Sequence, residues 1–154
     1  MDRHRQRFLF AHFCRERQWH RQRGAHQASS MPIKTKRWND PLEPDDGHRL
    51  LVCRYRPRGV RKDAEIWDAW SPQLGPSREL HAALYGKHGP PIDWSEFRRR
   101  YLAEMGEHRE AIVNLGARVA AGETITLLCS SACSDPERCH RTLLSGLVAG
   151  AGGG

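Results

Sequence analysis

The sequence predicts an α/β domain, a mostly parallel sheet flanked by helices, forming a single compact unit over residues 31–149. Three observations carry this. Strand-like runs stand near the beginning and near the end of that stretch. Segments with helical periodicity lie between them. The last strand run, Thr124-Ile125-Thr126-Leu127-Leu128-Cys129, is β-branched at its start and mostly apolar on both faces, as an interior parallel strand is. The length of 154 residues suits one ordinary domain. Apolar residues make up 38% and charged residues 28%, lean for a globular chain but above the disordered range. No run approaches the roughly 18 consecutive apolar residues of a membrane-spanning helix.

Ile33 to Trp38 alternates Ile33, Thr35 and Arg37 against Lys34, Lys36 and Trp38, which predicts the first strand. Residues 41–47 hold two prolines and a closing glycine and predict a loop. Leu50 to Tyr55 is a short run of strand formers, ended by the turn Pro57-Arg58-Gly59. Trp67 and Trp70, three apart, suit either one helical turn or a packed loop. Ser77 predicts an N-cap for a helix with Leu80, Ala83 and Leu84 on one stripe and Gly86 at its end. Asp93 with Glu96 has capping-box spacing, and Trp94, Phe97, Tyr101 and Met105 form the stripe of a second helix. A third helix over about 108–121 turns Ala111, Ile112, Leu115 and Val119 inward and ends at Gly122. After the strand at 124–129, Asp135-Pro136 predicts the cap and first position of a last helix burying Leu143, Leu144, Leu147 and Val148. Residues 150–154 read as a flexible Gly-rich tail.

The net charge of +7 invites a nucleic-acid reading, but residues 1–30 carry seven arginines against Asp2 and Glu16. Five of the seven net positive charges therefore sit there, and the domain itself is nearly balanced. Residues 1–30 are expected to be a basic leader, disordered or an over-called upstream start, with Met31 reading as a natural beginning. A signal peptide fits less well, because His12 and Arg15-Glu16-Arg17 interrupt and close the apolar run; the Arg-rich, acid-poor composition suits a transit peptide or a basic arm, but a charge run is usually just solvated.

Parallel sheets place ligands outside the carboxyl ends of their strands. After the second strand run comes Arg54-Tyr55-Arg56-Pro57-Arg58-Gly59-Val60-Arg61-Lys62, five cations before the first acid, Asp63. Guanidinium forks fit phosphate and carboxylate oxygens, so Arg54, Arg56 and Arg58 are candidate anion ligands. The plain alternative is a solvated loop paired with Asp45, Asp46 or Asp63. After the last strand run, Cys129, Ser130, Ser131, Cys133, Cys139, His140 and Arg141 fall within 13 residues. Cys139 is expected near the fourth position of the last helix, where the dipole and nearby Arg favour a thiolate. Ser130, Ser131 and the free amides of the turn are expected to hold an oxyanion. Cys139 or Cys129 is then the candidate nucleophile, with His140 as base or acid and Arg141 binding charge. For each residue alone the plainer reading is structural: Cys129 and Cys139 as small buried hydrophobes, His140 as a surface group. Zinc is set aside, since the spacing lacks Cys-x2-Cys pairs and adjacent Cys139 and His140 on a helix would diverge. No cofactor or metal is expected. Five cysteines, an odd count, without an export signal predict reduced thiols in a cytoplasm. No Walker, Rossmann or Gly-x-Ser-x-Gly motif is present.

Several segments are shared with a known family. They are Ile33 to Trp38, the turn Pro44-Asp45-Asp46-Gly47, Arg49 to Val60, Pro76-Ser77-Arg78-Glu79-Leu80, Phe97-Arg98-Arg99-Arg100-Tyr101, and Thr126-Leu127-Leu128-Cys129 with Cys139-His140-Arg141. In this order, over about residues 31–148, the chain resembles the domain of unknown function 488 (DUF488) family, in particular its YeaO-like branch. It departs from that branch at Cys53, where Asp is usual, and at Arg56, where Trp is usual, and its Cys-His-Arg ending is closer to the wider family. The resemblance implies a compact α/β domain in a bacterial cytoplasm and carries no activity with it.

The residues themselves predict a pocket for a phosphate-bearing or other anionic small molecule, nucleotide-derived ligands being one subclass, with conditional thiol chemistry. Two alternatives stand beside it: a non-catalytic module binding an anion or nucleic acid, and a thiol redox or metal sensor on Cys129, Cys133 and Cys139. No membrane partner is expected.

Overall fold

The ladder of four short strands decides where everything else sits. In the computed structural model, which describes residues 33–153, β1 (Ile33–Arg37), β2 (His48–Leu51), β3 (Ala69–Trp70) and β4 (Ile125–Cys129) form one sheet. The order is β1-β4-β2-β3 and every pairing is parallel. All five residues of β4 are buried, as the two-sided apolar run predicts for a strand paired on both edges. Four α-helices follow: α1 (Arg78–Leu84), α2 (Trp94–Met105), α3 (Arg109–Ala120) and α4 (His140–Gly152). Among the described residues no helix is long and apolar enough to cross a membrane. The basic leader lies outside the described residues.

Strand side chains alternate between the two faces of the sheet. Leu50, Val52, Ile125 and Leu127 join a core with Leu80 of α1, Phe97, Tyr101 and Met105 of α2, Ile112 and Leu115 of α3, and Leu144 and Val148 of α4. Leu51, Cys53 and Leu128 face a smaller core built with Trp67, Cys129 and Cys139. The helices cover the first face, and the loop carrying Trp67 covers the second.

The caps form as the sequence predicts. Ser77 Oγ accepts from the Leu80 amide at 3.1 Å and Asp93 from the Glu96 amide at 2.8 Å. The capping box is only half made, because Glu96 is held by Arg99 and Arg100 instead of turning back. Three segments differ from expectation. The second strand starts at His48 and ends at Leu51, four residues short of Tyr55. Beyond the bond from Val52 N to Leu128 O the neighbouring strand runs out, so Arg54 and Tyr55 have no ladder to join. Trp67 and Trp70 share no helical turn: Trp67 is buried in the small core, while Trp70 is on edge strand β3 with its indole donating to Cys53 O at 2.8 Å. Asp135-Pro136 opens only a 3-10 turn, Pro136–Arg138, and α4 starts at His140 with Cys139 as an extended N-cap (φ −135°, ψ 140°). Burying the Cys139 thiol beside Cys129 takes its backbone out of the helix. At its other end α4 continues through Gly152, into the Gly-rich stretch expected to fray, where Gly116 and Gly152 let it press against α3.

The loop between β1 and β2 is fastened by one carboxylate. Asp46, 2% exposed, receives Lys34 at 3.0 Å and Lys36 at 2.8 Å from β1 and is paired with Arg49 of β2. Its carbonyl accepts from Thr126 Oγ1 of β4 at 2.6 Å. The next residue, Gly47, has φ +62° and stands against Thr124 O, a position closed to any side chain. Burial would push the Asp46 carboxyl up, but hydrogen bonds from Lys36, the Glu43 amide and Lys34 overcome it and hold the group well below the usual carboxylate range.

Two outcomes follow from this carboxylate. Asp46→Asn should cost roughly 3–5 kcal/mol at pH 7, because it strands buried cations, read as a lowered midpoint in urea. Because the folded pKa lies below the unfolded value of about 3.9, this stability is complete above that pH and drains away as the pH falls beneath it. The Asn variant should lack that share of the acid limb; an identical pH profile would refute the assignment.

Candidate functional site

The register fixes three strand ends side by side. Arg37 pairs with Cys129 and Leu51 with Leu128, so the chain leaves β1 at Trp38, β2 at Val52-Cys53 and β4 at Ser130 from one edge. A cleft of about 680 Å³ opens there. Both predicted stretches line it: Arg54, Arg56 and Arg58 from one, and Cys129, Ser130, Cys139 and His140 from the other. Arg141 does not line it. The helix begins at His140, and the next residue points elsewhere, buried, with Nε and Nη1 unpartnered. The cleft also takes in residues the sequence reading did not place there, among them His81, Tyr85, Lys87, Trp94 and Arg138. His81 and Tyr85 lie four apart, one face of α1, which is the signal that could have found them.

Among the described residues five cations, Arg54, Arg56, Arg58, Lys87 and Arg138, line the cleft and no carboxylate does. Their freedom differs. Arg56 gives Nε and Nη2 to Glu65 Oε1 at 2.9 and 2.6 Å, lies over the Trp67 ring at 5.6 Å, and holds the Glu65 carboxyl below its usual range. Its partner is Glu65; of the three acids the sequence suggested for this loop, Asp63 is paired with Arg61, while Asp45 and Asp46 are taken by lysines of β1. Arg54 spends Nε on Pro76 O at 2.8 Å. Arg58, Lys87 and Arg138 have no carboxylate partner among the described residues and are exposed.

The floor is sulfur. The turn after β4 closes through Cys133 N to Ser130 O at 3.1 Å, which brings the Cys133 thiol back to 3.2 Å from Cys129. Cys139 reaches the same Cys129 sulfur at 3.4 Å. The turn uses its own amides: Ala132 N bonds Ser130 Oγ at 3.1 Å and Ser134 N bonds Ala132 O at 3.0 Å. The expected oxyanion cradle of this turn is therefore largely occupied by the chain itself. His140, expected on the surface, is buried; Nε2 meets the Val52 carbonyl at 2.8 Å and so carries the ring hydrogen, leaving Nδ1 toward Cys129 at 3.8 Å. Burial holds its pKa below the ordinary value.

The thiols are not equivalent. The hydrogen bond received from Cys129 and the neighbouring Cys139 thiol pull Cys133 below the ordinary thiol range, with the Arg141 charge adding to it. The bond to Cys133 and burial push Cys129 up against the opposing bond from Cys139, and the bonds among the three sulfurs, with burial, push Cys139 up. Among the described cysteines Cys133 alone is partly exposed. The thiol with the lowered pKa is a third one, beside the two the sequence favoured. Cys139 is no helical residue and is sealed in the small core, and Cys129 is the middle member of the sulfur row.

The family model described as the active DUF488-N3 subclade matches residues 33–152. The uncharacterized protein YeaO of Escherichia coli (strain K12) is 41% identical over 101 residues, which are 66% of this chain and 84% of that protein. The uncharacterized proteins Mb3100c of Mycobacterium bovis and Rv3073c of Mycobacterium tuberculosis are each 36% identical over 73 residues, 47% of this chain and 59% of theirs. No solved structure matches.

In the reduced protein, among Cys53, Cys129, Cys133 and Cys139, a charged alkylating reagent should label Cys133 first. Its rate should persist as the pH drops well under 8.5, the ordinary thiol value, while Cys53, Cys129 and Cys139 label slowly. A Cys133 rate that rises only on approach to that value would show that it carries no stabilised thiolate.

Proposed function

We propose that this chain, which belongs to the DUF488 family, binds a phosphate-bearing or other anionic small molecule in the cleft at the carboxyl ends of β1, β4 and β2. The observation that carries the reading is the lining: five cations and no carboxylate. Unbalanced positive charge in a concave site attracts anions and is a poor place for a structural salt-bridge network. Arg58, Lys87 and Arg138 are the free recognition groups. Arg54 and Arg56, already held, shape the wall and add field. The volume of about 680 Å³ fits a small molecule. His81 sits between Tyr55 and Tyr85, at 5.1 and 4.8 Å between ring centres, and Trp94 stacks on Phe97 at 5.3 Å. That aromatic flank suits a flat group beside the charge, so nucleotide-derived ligands are the favoured subclass.

Thiol chemistry is the finer part of this reading, and Cys133 takes the role first given to Cys139 and Cys129. A thiolate is the nucleophilic form of cysteine. Cys129 and Cys139 stand behind it as donors, and His140 orients the row. This role assumes a reducing compartment such as a cytoplasm. The relatives' names supply no ligand. A nucleic-acid module is the weaker alternative, since the cleft is a pocket and the domain's own charge is nearly balanced.

A thermal-shift series tests the reading. Nucleoside phosphates or inorganic phosphate at a hundred times their Kd should add about 2.7 kcal/mol and raise Tm by several degrees, whereas uncharged nucleosides should not. Arg58→Gln and Arg138→Gln should each weaken binding about tenfold or more, the scale of a lost charged hydrogen bond, with the Tm of the free protein unchanged. Equal shifts with chloride at matched ionic strength would overturn it.

A further inference from the structure

Three sulfurs gather on the floor of the cleft, with an imidazole nitrogen beside one of them. The objection to a metal was that neighbouring Cys139 and His140 on one helix point apart. Cys139 is extended instead, and both side chains reach Cys129, the thiol at 3.4 Å and Nδ1 at 3.8 Å. Cys133 closes on the same sulfur at 3.2 Å, and the three sulfurs all lie within 4.8 Å of one another. We propose that Cys129, Cys133 and Cys139 hold one divalent ion of the thiolate-seeking kind, zinc by the donor set, on the floor of the cleft, with Nδ1 of His140, 3.8 Å from the Cys129 sulfur, turning in to complete the set.

Four features support the site. Thiolate and imidazole are the ligands that select zinc over the oxygen-seeking cations. His140 is oriented as a ligand needs to be: Nε2–H is spent on the Val52 carbonyl at 2.8 Å, which frees the Nδ1 lone pair on the sulfur side. Charge also balances. A dication with three thiolates leaves one negative charge, and it would sit in a cleft whose ionisable lining is cationic, with no carboxylate. Entry is by way of Cys133, the partly exposed ligand at the cleft floor. Tetrahedral zinc, with Zn–S near 2.3 Å, spaces its sulfurs about 3.8 Å apart. The sulfurs must therefore spread slightly, and the exposed turn at 130–134 that carries Cys133 is the element free to move.

Binding displaces thiol protons and ties up Cys133, so metal occupancy and thiol reactivity exclude each other. The inference goes beyond anion binding and is tested separately from it.

The experiment titrates Co2+ into reduced, metal-free full-length chain in a Cys14→Ser background, because Cys14 lies outside the described residues. One equivalent should bind, with a thiolate-to-cobalt charge-transfer band and tetrahedral visible bands, and Zn2+ should displace it. In the same unsubstituted site, the bound ion should slow alkylation of Cys133 at least tenfold, and a chelator should restore the rate. Cys133→Ser, at the least buried ligand, should weaken cobalt binding and diminish the charge-transfer band at one equivalent. Arg58→Gln should lose the phosphate-induced rise in Tm and leave the cobalt spectrum unchanged. No charge-transfer band with the intact site, octahedral cobalt only, or a bound ion that leaves Cys133 alkylation unchanged would each overturn the metal site and leave the anion reading standing. Loss of the phosphate response with cobalt binding intact would do the opposite.

Discussion

Asp46 is where three of the four strands are tied. Its carboxylate meets lysines of β1 and an arginine of β2, and its carbonyl takes the Thr126 hydroxyl of β4. A buried ion cluster of this kind stabilises little compared with packed hydrocarbon, but breaking it is expensive, so it acts mainly as a lock on arrangement. What it locks is register. A slip of one residue would turn Leu50 and Val52 out of the helical core and Leu51 into it. The same slip would part Cys129 from its level with Arg37 and the end of β2, and the cleft would lose its shape. The hub lies beyond the end of β2 remote from the cleft, so structural charge and cleft charge are kept apart.

That separation explains the site's electrostatics. The acids near β1 are consumed by Lys34, Lys36 and Arg49, and Glu65 is consumed by Arg56. Among the described residues the cleft is left with surplus cations and no carboxylate. The domain can be nearly neutral overall and still present a strongly positive pocket.

Much of the fold is legible in the sequence because it is written in periodicity. Trp94, Phe97, Tyr101 and Met105 announce α2, and the two-sided apolar run at 125–129 announces a central strand. Ser77 and Asp93 announce their caps. The convergence of the arginine loop with the Cys-His segment follows from the rule that parallel strands deliver their ends to one edge. What escapes is set by tertiary contact. Nothing local says that Cys139 leaves the helix, because the cause is the sulfur of Cys129, ten residues earlier. Nothing local distinguishes Arg56, paired with Glu65, from Arg58, which is free. Arg141 and His140 are adjacent in sequence, yet one is outside the cleft and the other in its floor, a difference made by where the first helical turn begins. Edge strand β3, two residues long, has too little sequence to show a pattern at all.

The unequal burial of the sulfurs has a practical side. Cys133 faces solvent, whereas Cys129 and Cys139 are about 1% and 2% exposed and are sealed by contacts from segments far apart in the chain. Modification of the inner pair requires the sheet edge and the start of α4 to part, so it times opening of the native state, whereas the outer sulfur reads only the intact surface. A single reagent followed by peptide mapping thus yields two clocks from one sample, one for accessibility and one for breathing of the fold, with no probe added to the polypeptide.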